Sequence, residues 1–275
     1  SGIWVALSMI GVSAIGMILF TSRPVGDAMA TTIWGTASSW TLTALPLFVW
    51  MGEILFRTKL SENLFKGLSP WMQKLPGGLI HVNVVGCALF AAISGSSAAT
   101  VATVGKMSIP ELRKRNYPEK ILLGSLAGSG TLGLLIPPSI ILIIYGVAVQ
   151  ESIAKLFIAG IIPGIMIALI FMSYVIIWSL INKKEMPVVL EEYSFFEKIK
   201  RSKQLLPIII LISSVIGSIY TGIATATEAA SLGVVGALLL SYFQKTLNFE
   251  TFKSSLLGAT KTSCMIAFIL AGSTF

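Results

Sequence analysis

The sequence predicts an all-α membrane protein, a polytopic helical bundle that contains a re-entrant hairpin and a discontinuous helix. Its 275 residues are 55% hydrophobic and only 12% charged, with a mean hydropathy of +0.86. An ordinary soluble domain is about 45–50% apolar and about 25% charged. Long apolar stretches are a second observation, and two of them are interrupted near their middle. A soluble bundle is disfavoured, because adjacent spans of this length would leave no polar exterior.

Three stretches in the second half of the chain have the length of a membrane span. A membrane helix needs about 20 apolar residues to cross a hydrocarbon core about 30 Å thick. Residues 204–221 and 225–243 are nearly free of charge, and 153–181 carries one charge, Lys155. A shorter apolar helix is expected at 3–20, and a last helix is expected from Leu256.

The segment between the first helix and the hairpin is more polar. A Thr/Trp-rich stretch ends at Trp40, and with Trp34 it is typical of the aromatic belt at a membrane interface. Residues 42–56 are apolar except for Glu53. Residues 61–73 alternate apolar and charged side chains with helical spacing, which predicts an amphipathic helix lying flat in the interface.

The re-entrant hairpin is predicted from the length of its second limb. Residues 79–93 are apolar, the sequence SGSSAAT at 94–100 interrupts them, and apolar character then resumes only as far as Gly105. About nine residues span roughly 14 Å of helix, which cannot cross the bilayer. We therefore expect both limbs to enter from one side, with the turn buried in protein or lining a cavity.

The discontinuous helix is predicted at 121–148, where the sequence GTLGLLIPPS occupies 130–139. Two glycines and the Pro137-Pro138 pair remove hydrogen-bond donors and break a helix in mid-membrane. The charges of the loops support the topology of the later spans: 106–120, 182–204 and 244–253 are rich in Lys and Arg, which places all three in the cytoplasm by the positive-inside rule. The net charge of +8 thus indicates topology and not a nucleic acid partner.

The two breaks have the chemistry of an ion site. Unwound turns expose carbonyl oxygens and hydroxyls for an alkali cation, and half-helix N-termini attract a carboxylate. The candidate groups are Ser94, Ser96 and Ser97 with the carbonyls near Gly133, Ile136 and Pro138. The alternative is that these small residues only permit close helix packing. Two such breaks within 40 residues favour the site.

Other polar residues leave alternatives open. The sequence TGIATATE at 221–228 is either an extracytoplasmic turn with Thr N-caps or a second site. Glu53 and Glu228 are near-membrane carboxylates, functional candidates that would otherwise sit at an interface. His81 is expected at the hairpin entrance. Cys87 and Cys264 are interpreted as small hydrophobic residues, and a single histidine argues against zinc or haem.

Five sequence blocks follow one another along the chain: ALPLF at 44–48 with GE at 52–53, ISGSSAAT at 93–100, IPE at 109–111, GTLGLLIPPS at 130–139 and ATATEAASLG at 224–233. In this order they resemble the large membrane subunit (M subunit, DctM-like) of tripartite ATP-independent periplasmic (TRAP) transporters. The resemblance implies a sodium-driven, inverted-repeat, elevator-type secondary transporter in the bacterial inner membrane, not an enzyme. It implies import of a small organic anion such as a C4-dicarboxylate or sugar acid. A small four-helix membrane subunit and a periplasmic binding protein are the implied partners.

The resemblance also assigns residues. It implies a first sodium site at Ser94, Ser96, Gly133, Ile136 and Pro138, and part of a second at Gly222 and Thr225. We expect the organic anion at the hydroxyls of Ser97, Thr100, Thr131 and Ser139.

Four units are expected along the chain. These are scaffold helices and an interfacial arm helix (1–78), a first transport unit (79–149), a long span with a cytoplasmic linker (150–204), and the start of a second repeat (205–275). The chain starts with Ser-Gly and ends inside an apolar run, so we expect a fragment that lacks the second hairpin and does not transport alone.

Two alternative functions remain. A citrate- or arsenite-type permease shares the architecture but not the ordered blocks. An intramembrane serine hydrolase would need a base near Ser94 or Ser96, and His81 lies about 20 Å from Ser94 along a straight helix. Lys106 is the remaining candidate base, and it belongs to a basic loop.

Overall fold

The computed structural model describes residues 4–58, 60–187 and 193–275, and the regular structure in these ranges is entirely helical. The α-helices in chain order are α1 (Val5–Phe20), α2 (Val25–Ala37), α3 (Ala44–Phe56), α4 (Leu60–Met72), α5 (Ile80–Ser94), α6 (Ser97–Lys114), α7 (Glu119–Gly130), α8 (Ile140–Ala148), α9 (Ile153–Ile181), α10 (Phe195–Ser202), α11 (Leu206–Tyr220), α12 (Ala226–Phe243) and α13 (Phe249–Thr274). Short 3-10 turns join several of them. The all-α prediction is confirmed.

Four helices of the described ranges are long and apolar enough to cross a membrane: Ile153–Ile181, Phe195–Tyr220, Ala226–Phe243 and Phe249–Thr274. The second of these joins α10 and α11 through the 3-10 turn Lys203–Leu205. A fifth span would form if Val25–Ala37 and Trp40–Phe56, bent by 55°, cross together. Helix α9 buries only a narrow stripe that includes Phe157 and Gly164. Its other faces are exposed and apolar, as expected for a surface in contact with lipid.

The N-terminal third contains more helix than the sequence predicts. The Thr/Trp-rich stretch forms α2 after an N-cap at Pro24, with Asp27 in its first turn. Thr31 satisfies its own hydroxyl by donating to the Asp27 carbonyl at 2.8 Å, so threonines that usually disfavour a helix are accommodated. Trp34 and Trp40 are 74% and 79% exposed. Their place in an aromatic belt stays a prediction.

The amphipathic helix predicted at 61–73 is present as α4, but its apolar face is covered by protein. Leu64, Phe65 and Leu68 are buried, and α4 packs against α5, α6 and α10. Its position in the membrane interface stays a prediction. The last helix also differs, because α13 begins at Phe249 and not near Leu256. The Asn248 side chain caps it by accepting a hydrogen bond from the Thr251 amide at 2.6 Å.

Helix α3 lies at the centre of the bundle and positions the site. It packs against α12, α13, α5 and α8, and Phe48 forms an edge-to-face contact with Phe157 at 5.9 Å between ring centroids. Helix α5 is almost completely buried from Ile80 to Ser94. The hairpin therefore ends inside the protein, between α3 and the broken helix.

Candidate functional site

The hairpin tip is built around one glycine. Helix α5 ends at Ser94, and Gly95 follows with a left-handed φ of +56°, a conformation that side chains with a Cβ disfavour. Ser96 is the N-cap of α6, and its hydroxyl accepts a hydrogen bond from the Ala99 amide at 3.4 Å. The predicted turn at 94–100 is thus a single tight reversal between two helices.

The second limb of the hairpin is longer than its apolar part. Helix α6 runs for 18 residues, from Ser97 to Lys114, which is about 27 Å of helix. The apolar portion stays short, since Lys106 is on an exposed position of the helix. The helical hairpin is confirmed. The argument that the second limb is too short to cross the bilayer applies only to its apolar portion, not to the whole of α6.

The broken helix is confirmed between α7 and α8. A 3-10 turn covers Thr131–Leu134, and Ile140 starts the next helix. In a continuous helix the amides of residues 137 and 138 would donate to the carbonyls of Gly133 and Leu134, and proline has no amide hydrogen. The Ser139 hydroxyl replaces one donor by bonding to the Leu134 carbonyl at 2.7 Å. The Gly133 carbonyl loses its helical donor.

The hairpin tip docks directly on this break. A Cβ added to Gly95 would lie 3.0 Å from both the Pro138 carbonyl oxygen and the Ile140 nitrogen. A Cβ added to Gly133 would lie 3.1 Å from the Ser97 nitrogen and 3.4 Å from the Ser96 carbonyl oxygen. Backbone touches backbone on both sides, and only residues without a side chain permit this approach.

Three hydroxyls surround the junction. Ser94 Oγ and Thr100 Oγ1 form a hydrogen bond of 2.8 Å with each other, and Thr100 is fully buried. The Ser97 hydroxyl is also buried, and it has no hydrogen-bond partner among the described residues. A buried polar atom without a partner is uncommon in proteins and points to a ligand or a water.

A cavity of about 290 Å³ lies beside the tip. Its polar lining is Glu53, Ser94, Ser96 and Thr262. Glu53 forms an ion pair with Arg57, which also donates from Nε to the Ser254 hydroxyl of α13 at 3.0 Å. The sequence does not predict a role for Thr262, because it is one hydroxyl in a mostly apolar helix and no motif surrounds it.

The remaining residues predicted for the first sodium site and for the organic anion make other contacts. Ile136 packs against α9, where a Cβ on Gly164 would lie 2.9 Å from its side chain. Thr131 is exposed and donates to the Gly128 carbonyl at 2.7 Å. Ser139 is buried, and its hydroxyl is used within the break itself. Their assignment to ion or substrate stays a prediction.

The third break, at 221–228, forms a separate group. Gly222 has a left-handed φ of +71° and open space around it. Thr225 is the N-cap of α12 in a capping box with Glu228, and it lines a cavity of about 900 Å³ together with Thr31, Thr36 and Ser152. That cavity and the one at the hairpin tip share no lining residue. Thr225 therefore lines a different cavity from the hairpin tip, and Gly222, three residues before it, lines neither cavity.

The serine-hydrolase alternative has no support in this geometry. His81 and Ser94 lie at opposite ends of the unbroken helix α5, about 20 Å apart by helical rise. The Nε2 atom of His81 lies 2.8 Å from the Pro76 carbonyl, away from the tip.

Comparison with known proteins is consistent with an all-α membrane protein. The family model described as "Tripartite ATP-independent periplasmic transporter, DctM component" matches residues 1–275. The C4-dicarboxylate TRAP transporter large permease protein of Pseudomonas aeruginosa is 33% identical over 263 residues, covering 95% of this chain and 61% of that protein. The sialic acid TRAP transporter large permease protein of Vibrio cholerae is 33% identical, covering 100% and 64%. The isethionate TRAP transporter permease protein of Oleidesulfovibrio alaskensis is 31% identical, covering 99% and 43%.

Several helices long and apolar enough to cross a membrane, with a broken helix facing a hairpin tip inside the bundle, define a polytopic membrane protein. The chain belongs to the DctM family of tripartite ATP-independent periplasmic transporters. It is a multi-pass protein of the bacterial inner membrane, and the family consists of transporter permeases rather than enzymes. The chain spans 43–64% of the length of the three relatives named above.

Proposed function

We propose that this chain contributes the first ion site of a sodium-coupled importer of small organic anions. The observation that supports this most is the docking of the hairpin tip on the broken helix. Gly95 approaches the Pro138 carbonyl and Gly133 approaches the Ser96 carbonyl, beside the buried hydroxyl of Ser97. Neutral oxygens at two facing backbone breaks are the ligands that transporters use for sodium.

The residues at the junction fit a sodium ion chemically. The Gly133 carbonyl is deprived of its helical donor by Pro137, and the Ser97 hydroxyl has no partner among the described residues. Ser94, Ser96 and the carbonyls of Ile136 and Pro138 complete the proposed set. When bound, sodium would supply positive charge that attracts an anion into the neighbouring cavity.

The organic anion would bind near the same junction. The N-termini of α6 and α8 both begin there, at Ser97 and Ile140, and a helix N-terminus attracts negative charge. The hydroxyls of Ser97, Thr100, Thr131 and Ser139 are the proposed contacts of the anion, so Ser97 would contact both the anion and the sodium ion. The named substrates of relatives include C4-dicarboxylates, sialic acid and isethionate. These compounds share a carboxylate or sulfonate, so we infer a small anion of that class.

A second sodium ion would use the break at Gly222 and Thr225. The positive φ of Gly222 turns the chain before α12. The Thr225 carbonyl accepts from the Ala229 amide and its hydroxyl bonds to Glu228, and each oxygen keeps one lone pair for a cation. Elevator-type movement, a small membrane subunit and a periplasmic binding protein are part of the same proposal. The family is named as tripartite, and one relative is named as a DctMQ protein.

The test is sodium-dependent uptake in proteoliposomes that contain the complete transporter and its binding protein. Ser96→Ala should shift half-maximal sodium upward by about tenfold, since one ligand and one helix cap are lost. Ser214→Ala is the matched control, because Ser214 is exposed and donates only to the Leu211 carbonyl of its own helix. An unchanged sodium response in Ser96→Ala would overturn the assignment of the tip. Strong uptake without the binding protein would overturn the proposal that transport requires a periplasmic binding protein.

A further inference from the structure

An exposed stripe on the continuous helix α10–α11 has an unusual composition. Residues 196, 199, 203, 206 and 210 follow one another at spacings of three and four, which places them on one helix face. Phe196, Ile199, Leu206 and Ile210 are 79%, 42%, 50% and 63% exposed. The fifth residue is Lys203, also exposed. The stripe is therefore apolar at both ends with one positive charge in its middle.

The charge of this segment is not neutralised within the described residues. Residues 194–205 contain four basic side chains and one acidic side chain, Glu197. Glu197 accepts a hydrogen bond from the Ser194 amide at 3.0 Å in a capping box. Neither Lys200 nor Lys203 forms an ion pair with a carboxylate of the described ranges. No carboxylate of the described ranges therefore neutralises either ammonium group.

Contacts with α4 indicate the membrane depth expected for Lys203. The Trp71 indole donates from Nε1 to the Ser202 hydroxyl at 2.8 Å, and its ring packs edge-on against Phe195 at 6.3 Å. Trp71 is 40% exposed, and tryptophan at a membrane boundary favours the headgroup level. From Leu206 the helix is uncharged up to Tyr220. This pattern predicts that Lys203 lies at the boundary between headgroups and hydrocarbon.

We propose that this stripe binds one anionic phospholipid of the cytoplasmic leaflet. The lipid phosphate would contact Lys203 and Lys200, and an acyl chain would lie along Leu206 and Ile210. Basic residues at the cytoplasmic surface attract anionic headgroups, and a long lysine side chain reaches the headgroup while its stem stays on apolar surface. The positive-inside rule alone requires only basic residues in this loop. It does not require a lysine inside an exposed apolar stripe.

Native mass spectrometry of the complete purified protein tests the proposal. The protein is equilibrated with mixed micelles that contain equal amounts of phosphatidylglycerol and phosphatidylcholine. The double variant Lys200→Gln/Lys203→Gln should retain phosphatidylglycerol about fivefold less well for each charge removed. The matched control is Lys245→Gln/Lys253→Gln, because both lysines are exposed in another basic loop. It should retain phosphatidylglycerol like the unmodified protein.

Three results would overturn the proposal. One is equal retention of the two lipids by the unmodified protein, and another is an equal loss of lipid in both double variants. The third comes from a photoreactive amino acid at position 199 in native membranes, where capture of a protein in place of lipid would assign the stripe to a protein partner. Capture of phosphatidylglycerol there would support the lipid site. This result would stand whether or not the protein couples transport to sodium.

Discussion

Gly95 lies so close to Pro138 that a methyl group on its Cα would stand 3.0 Å from the Pro138 carbonyl oxygen. Two separate constraints therefore act on this position. Its φ of +56° disfavours a side chain, and its contact with the broken helix leaves no room for one. The hairpin tip and the break are held together by main chain, which is the arrangement that can present carbonyl oxygens to a cation.

Replacing Gly95 with alanine is expected to damage both stability and sodium binding. The left-handed conformation alone costs about 1–2 kcal/mol in the free energy of unfolding, and displacement of the tip from Pro138 adds to this. We expect a lower midpoint of thermal unfolding. We also expect loss of most of the increase in that midpoint when sodium replaces choline. Thermal unfolding of the purified protein in the two salts measures both effects.

Gly222→Ala is the matched control for this variant. Gly222 has a left-handed φ of +71° but nothing within 4 Å of an added Cβ, so it isolates the conformational cost from the steric one. The Gly222→Ala protein should be destabilised and keep most of its sodium response. The part of the response that it loses is the part that depends on the proposed second site, to which Gly222 belongs. If the two variants lose the same share of that response, docking of the tip is not what forms the sodium site.

The Ser97 hydroxyl offers a test in which stability and ion binding separate. A buried hydroxyl without a partner costs about 1–3 kcal/mol, so Ser97→Ala should leave the free energy of unfolding unchanged or higher in the absence of sodium. Its sodium-dependent stabilisation should fall by about 1 kcal/mol, since the proposal makes this oxygen a ligand. Thermal unfolding over a sodium titration measures the two quantities together.

Thr103→Val serves as the comparison for Ser97→Ala. Thr103 lies on the same helix α6, is buried, and also has a hydroxyl without a partner among the described residues. It is not part of the junction with the broken helix. A sodium response reduced equally in both variants would mean that α6 responds to sodium as a whole, and Ser97 would lose its role as a ligand.

The two breaks could be predicted from the sequence because the signals are local. Pro137-Pro138 removes two helical donors wherever it stands, and the Ser/Gly run at 94–100 interrupts an apolar segment in a way that the structure confirms. The helix at Val25–Ala37 could not be predicted, because the signals that stabilise it are not visible in the local sequence. Its threonines carry a low helix propensity, and back-bonding such as Thr31 to Asp27 becomes visible only in the folded chain.

The environment of the junction could not be predicted, because it depends on distant parts of the chain. Thr262 lines the cavity beside Ser94, although 168 positions separate the two residues in the sequence. Arg57 and Ser254 form a hydrogen bond although they too are far apart in the sequence. Periodicity shows which face of a helix is apolar, but not which helix covers it. A lone hydroxyl in an apolar span therefore gives no signal of its own.

Glu53 links the cavity beside the hairpin tip to α13. Its carboxylate pairs with Arg57, and Gly258 packs so closely that an added Cβ would lie 2.7 Å from Oε2. Glu53→Gln should lower the free energy of unfolding by about 0.5–1 kcal/mol, because the pair is three-quarters buried. It should also weaken apparent sodium affinity by about threefold, since one negative charge of a partly compensated pair is lost from the cavity.

The control for Glu53→Gln is Glu62→Gln on α4. Glu62 forms an ion pair of the same i, i+4 spacing with Lys66, but both side chains are about half exposed and lie outside the cavity lining. Its removal should change the unfolding midpoint little and leave the sodium titration unaltered. A Glu53→Gln protein with lower stability and an unchanged sodium midpoint would show that the carboxylate only fastens α3 to α13. A shift shared by both variants would indicate a general effect of net charge instead.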